Sequence, residues 1–114
     1  MQVTELIEDK TNYYIISEIL IGGPVINHLK FIRTFKEAET NIIIRQVMEG
    51  LKYLHYRNIA HRDVKLENVM FVKDSFESLD VKLIDFGFAT KFDPKKKMDL
   101  ILGSPLYMAP ELIR

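Results

Sequence analysis

The sequence predicts an α+β fold, and three observations carry that reading. Residues 1–18 hold two short runs rich in β-branched and aromatic residues, separated by a polar turn. The stretch from Thr34 to Arg57 places apolar residues three and four positions apart, which predicts one long amphipathic helix. Two further apolar runs, Val69–Val72 and Val81–Ile84, lie beyond it and are joined by polar and small residues. At 114 residues the chain suits one compact unit rather than several.

Taken in order, Val3, Leu6 and Ile7 form the first strand and Tyr13 to Ile16 the second. Asp9-Lys10-Thr11-Asn12 is the turn of a hairpin. The second strand is expected to run on through Glu18-Ile19-Leu20-Ile21, until Gly22-Gly23-Pro24 breaks it. Pro24, tolerated in a first helical turn, opens a short helix carrying Val25, Ile26, Leu29 and Ile32. In the long helix Ile44, Val47, Met48, Leu51, Leu54 and His55 share one face, read here as a core face. Thr34 and Glu37 have the spacing of a capping box, and Asn58 stands where the helix should stop. The runs at 69–72 and 81–84, with Lys73–Asp80 between them, predict a second hairpin. Lys95-Lys96-Lys97 is read as a solvated surface patch.

Composition narrows the function classes. Sixteen Lys+Arg balance sixteen Asp+Glu, so no net charge argues for a nucleic-acid or membrane partner. Without cysteine there are neither disulfides nor thiolate metal sites. No apolar run is long enough to span a bilayer, and the opening MQVTELIEDK is acidic where a secretory leader would be apolar. A soluble, cytoplasmic protein is the expectation.

The chemistry concentrates in HRDVKLEN, His61 to Asn68, followed by Asp-Phe-Gly at 85–87 and Ala-Pro-Glu at 109–111. Phosphoryl transfer asks for a group that orients the attacking hydroxyl, a cation on the phosphate, and hard oxygen ligands for magnesium. Asp63 is the candidate base, Lys65 the candidate ammonium, and Asn68 a neutral oxygen for a metal ion. Asp85 adds the carboxylate that magnesium prefers. His61 and Phe86 read as packing residues beneath the loop, and Gly87 as the residue that permits the turn after Asp85. Ala109-Pro110-Glu111 reads as a loop anchor.

From Val3 to Glu111 the chain resembles a eukaryotic protein kinase, most closely the calcium/calmodulin-dependent and calcium-dependent groups. NYYIISEILIGG, QVMEGLKYLHYRNIAHRDVKLENVMF, VKLIDFGFAT and GSPLYMAPE all look like that family, in its order. The resemblance implies the central part of the two-lobed kinase fold: small-lobe strands in 1–18, a hinge in 19–23, and the first half of the large lobe in 24–114. It implies ATP and Mg2+ as cofactors and a protein with a Ser or Thr acceptor as partner. Asp63 would be the base, Lys65 the phosphate contact, and Asn68 and Asp85 the metal ligands. The backbone of Glu18 and Leu20 would bond adenine, Ser17 would be the gatekeeper, Met70 the floor of the adenine pocket, and Glu67 a ribose contact through its carbonyl. Lys65 two residues after Asp63, with Gly103-Ser104-Pro105 ahead of the anchor, favours serine/threonine over tyrosine specificity. Ser104 would bond Asp63 and Lys65.

The chain departs from the family in places. Leu66 replaces the loop proline, Pro24 a commonly acidic residue, and Leu100 the usual loop phosphosite. Arg62 would ordinarily meet that phosphate, and Asp99 is the carboxylate expected to stand in for it. The family's glycine-rich loop, strand lysine and helix glutamate are expected before Met1, and further helices after Arg114. The chain alone is accordingly expected neither to form a stable domain nor to transfer phosphate. Two rival readings exist. One is a small-molecule kinase of the aminoglycoside or choline type, which would lack Ala-Pro-Glu. The other is a non-catalytic fragment or pseudokinase-like binding module: intact Asp63, Lys65, Asn68 and Asp85 argue against decay of the site, the expected lack of the strand lysine argues for inactivity, and the sequence leaves this reading open.

Overall fold

The computed structural model describes residues 1–74 and 78–113. Strands β1 (Val3–Glu8) and β2 (Tyr13–Ser17) form the expected antiparallel hairpin, with Glu8 opposite Tyr13 and Leu6 opposite Ile15. Its turn is built on one side chain. The Asp9 carboxylate accepts the N–H groups of Thr11 at 2.7 Å and Asn12 at 2.8 Å, and the Tyr14 hydroxyl at 2.9 Å. Those bonds, the Thr11 amide first among them, hold its pKa far below the usual carboxylate range. Strand β2 ends at Ser17 and does not continue to Ile21 as the apolar run suggests.

The core lies in the rest of the chain. Strand β3 (Gly23–Pro24) pairs with β5 (Val69–Phe71), which pairs in turn with β6 (Val81–Leu83), all antiparallel. The second hairpin is therefore present, although residues 75–77 of its connection lie outside the described residues. Val69, Phe71, Val81 and Leu83 alternate onto one face and bury there with Val25, Ile43 and Leu54. Helix α1 (Val25–Ile32) follows Pro24, which caps it in an extended conformation rather than sitting in its first turn.

Helix α2 (Glu37–Tyr56) is shorter at its start than the sequence pattern implies. The capping contact is not Thr34 with Glu37. Instead the Glu39 carboxylate accepts the Lys36 N–H at 2.8 Å, while the Thr34 hydroxyl bonds the Phe35 carbonyl. The buried face is also turned from the expected one. Ile43 and Leu54 are buried, and Val47 and Leu51 pack beside them, whereas Ile44 and Met48 are exposed. The run Ile42-Ile43-Ile44 allows several faces, and contact with the sheet selects Ile43. Asn58 does end the helix region, with a left-handed φ of 55°. Two short strands, β4 (Ile59–Ala60) and β7 (Thr90–Lys91), then pair and hold the segments before and after the HRD loop together.

Gln46 is the polar exception on the inner side of α2. Its amide nitrogen donates to the Leu79 carbonyl at 2.9 Å, and its amide oxygen accepts the Val81 N–H at 3.1 Å. Gln46→Ala is expected to leave both backbone groups without their partner and to cost about 1–3 kcal/mol. Urea unfolding should show a lower midpoint with an unchanged slope. No helix among the described residues is long and apolar enough to cross a membrane.

Candidate functional site

His61 is the buried post on which the HRD loop rests. Its Nε2 lies 3.0 Å from the Ile84 carbonyl, which can only accept, so Nε2 carries the proton. Nδ1 is then the acceptor for the Asp63 N–H at 3.3 Å. The ring meets Phe86 edge-on at 4.9 Å, although Phe86 itself remains largely exposed. The next residue, Arg62, takes a left-handed φ of 69°, uncommon for a side chain with a Cβ, and so reverses the backbone just before Asp63.

Asp63 is 6% exposed, and its carboxylate is surrounded by donors. Lys65 Nζ lies 2.8 Å from Oδ2, and the Asn68 amide donates to Oδ2 at 3.0 Å. Ser104 donates its N–H at 3.0 Å and its hydroxyl at 2.8 Å to Oδ1. The Ser104 hydroxyl in turn accepts from Lys65 at 2.9 Å, closing a ring of three side chains. The Lys65 bond is the main reason the Asp63 pKa is lowered, against the opposing effect of burial, with Ser104 adding to it. Lys65 is shifted upward for the reciprocal reason, chiefly by Asp63 and further by Glu67 and Asp85.

Gly103 allows Ser104 to arrive. Its φ is 121°, and a Cβ there would collide with the Arg62 carbonyl. Asn68, buried at the end of a 3-10 turn (Leu66–Asn68), spends both amide hydrogens on Asp63, one on its carbonyl at 2.9 Å. Its main-chain carbonyl accepts the Ile84 N–H at 2.8 Å, which brings Asp85 alongside. Asp85 has a left-handed φ of 59° and an exposed side chain whose Oδ1 accepts the Gly87 N–H at 3.1 Å. The unusual backbone after β6 thus belongs to Asp85, whereas Gly87 is not among the residues with positive φ. The donor set suits magnesium. The Asn68 amide oxygen and a second Asp85 oxygen accept no hydrogen bond among the described residues, and both are hard ligands.

The expected nucleotide contacts are more dispersed. Ser17 and Met70 are half-buried, Leu20 is buried, and Glu67 is exposed with its carboxylate accepting the Tyr107 hydroxyl at 3.2 Å. The Glu18 N–H donates to the Gln2 carbonyl at 3.0 Å, and its own carbonyl accepts the Ser17 hydroxyl at 3.4 Å, which leaves that oxygen one further lone pair. Arg62 bonds the Phe88 carbonyl at 2.6 Å through Nε, and Asp99 forms no ion pair with it among the described residues. The substitute pairing expected from the sequence is therefore not formed. Sequence reasoning missed Lys82, whose ammonium grips the Glu18 carboxylate at 2.7 and 2.8 Å. The partners stand 64 residues apart, and only the off-face position of Lys82 between Val81 and Leu83 hinted that it points away from the core.

A family model described as protein kinase domain matches residues 1–114. Calcium-dependent protein kinase 4 of Plasmodium berghei (strain Anka) is 35% identical over 113 residues, covering 99% of this chain and 21% of that protein. Meiosis-specific serine/threonine-protein kinase mek1 of Schizosaccharomyces pombe (strain 972 / ATCC 24843) is 38% identical over 105 residues, covering 92% of this chain and 24% of the relative. Calcium-dependent protein kinase 3 of Plasmodium yoelii yoelii is 38% identical over 114 residues, covering 99% of this chain and 21% of its own length. The chain spans about a fifth to a quarter of these relatives. With the Asp63–Lys65–Ser104 ring and the neighbouring Asn68 and Asp85 in place, that whole-chain match means that this chain belongs to the protein kinase family.

Proposed function

We propose that the chain is the central part of a serine/threonine kinase domain, transferring a phosphoryl group from Mg-ATP to a protein hydroxyl. The ring of Asp63, Lys65 and Ser104 is the observation that carries this reading. Residues 1–18 supply small-lobe strands, 19–23 the hinge, and 24–114 the start of the large lobe. The name of one relative, a serine/threonine-protein kinase, supports the choice of acceptor.

Asp63, held ionised by Lys65 and Ser104, orients the acceptor hydroxyl and takes its proton. Lys65 keeps its proton and sets an ammonium beside the negative charge of the transferred group. Asn68 has two tasks: its amide hydrogens fix Asp63, and its oxygen with Asp85 would hold a metal ion. Magnesium, when bound there, supplies positive charge to the phosphates. The Glu18 carbonyl and Leu20 N–H bond the adenine edge beside Ser17, over Met70, with the Glu67 carbonyl at the ribose.

Asp85→Asn tests the assignment. Loss of one ligand's charge should lower phosphoryl transfer by roughly a hundredfold or more, while adenosine binding stays within about twofold. Undiminished transfer in that variant removes Asp85 from the reaction.

A further inference from the structure

Lys82 sits at the middle of β6, directly opposite Met70 on β5. Their neighbours Val69, Phe71, Val81 and Leu83 are buried on the core face, so Met70 and Lys82 share the other face. Pro24 on β3 pairs with Met70 on the far side, completing a three-strand row. Across this row the Lys82 ammonium holds both oxygens of Glu18, the residue that directly follows β2, and Glu18 also accepts the Gln2 N–H. Neither end is fully solvated: the side chains are 36% and 26% exposed. Among the described residues this is the ion pair that ties residues 1–18 to residues 24–113, because the hairpin's other polar side-chain contacts close on the hairpin itself.

We propose that Lys82 is a positioning residue for nucleotide binding, acting through Glu18 to fix the backbone of residues 17–21 against the Met70 face. This rests on the kinase reading, in which the Glu18 carbonyl and the Leu20 N–H meet adenine. Residues 18–20 lie between β2 and β3 outside any helix or strand, and a bidentate contact one residue before Ile19 removes part of their backbone freedom. The energetic scale is that of a partly exposed ion pair, so the effect belongs to affinity and local opening, not to the transfer step.

The test compares Lys82→Met, Lys82→Arg and the exchanged pair Glu18→Lys with Lys82→Glu, all in the whole protein. Two readouts are taken: hydrogen exchange of amides 17–21, and affinity for adenosine, which carries no phosphate and so isolates the hinge contacts. Lys82→Met should speed exchange at 17–21 by about fivefold and weaken adenosine by a similar factor, with exchange in α2 unchanged. Lys82→Arg and the exchanged pair should recover most of both losses. Unaltered exchange at 17–21 in Lys82→Met overturns the proposal, and so does equal acceleration throughout α2, which would mean a general loss of stability. Failure of the unmutated protein to bind adenosine overturns the nucleotide-site reading instead, and the exchange comparison still decides whether Lys82 holds the hinge.

Discussion

Asp63→Asn is expected to lower phosphoryl transfer to serine or threonine peptides by about 10²–10⁴-fold, the usual contribution of a positioned base. The change is nearly isosteric, but the carboxylate it replaces accepts only donors: Lys65, Asn68, and the N–H and hydroxyl of Ser104. An amide must turn its NH2 toward one side of that ring, so it meets a donor with a donor. The pH profile separates this role from a mere structural one. The Asp63 pKa is depressed, so its ionised contribution is present above the ordinary carboxylate value of about 4 and lost only as pH falls through the depressed value. The Lys65 pKa is raised, so its contribution is present below the ordinary lysine value of about 10.4 and lost as pH rises through the raised one. Between those limits neither group should produce a limb. Unreduced kcat in the Asp63→Asn variant would end the assignment, as would an acid limb near neutrality traced to Asp63 by its loss in that variant.

The largest expected effect on stability is at Gly22. A Cβ there would overlap the Lys73 carbonyl and lie 2.5 Å from the Phe71 Cβ. Neither neighbour can step aside cheaply, since Phe71 is fully buried and its backbone is paired with Gly23. Gly22→Ala should therefore cost about 3 kcal/mol or more, at the upper end for overpacking. Gly50→Ala is the natural control. Its Cβ would enter open space inside α2, and removing a helical glycine should stabilise by up to about 1 kcal/mol. Urea midpoints of the two variants should move in opposite directions, and a Gly22→Ala midpoint equal to that of the unmutated protein would show that this corner of the sheet can relax.

What the sequence made legible follows the range of its signals. Alternation and turn residues over a few positions are local, and both hairpins could be read from them. The grouping of Asp63, Lys65, Asn68 and Asp85 was legible because a loop of eight residues and one short strand carry it. Contacts whose partners stand far apart left no pattern: Gln46 with Val81 and Lys82 with Glu18 were invisible. The face of α2 was right at Val47, Leu51 and Leu54 and wrong at Ile44 and Met48 for a similar reason, because three consecutive isoleucines satisfy several stripes and only the position of the sheet decides among them. The misplaced capping contact reflects a choice between two acidic residues in one turn, Glu37 and Glu39, settled by where the chain enters the helix.

The Gln46 amide has a meaning beyond the bonds it makes. Strand β6 is the outer member of its sheet, paired with β5 on one side only. On the open side, the amide of Gln46 offers a carbonyl to Val81 and an N–H to Leu79, the same two groups that a neighbouring strand would present. A single side chain thereby imitates the peptide unit of a neighbouring strand and covers two of the groups on that edge. An open edge is a template for pairing between chains. Self-association during refolding is therefore expected beside the lost stability when that row is left uncovered.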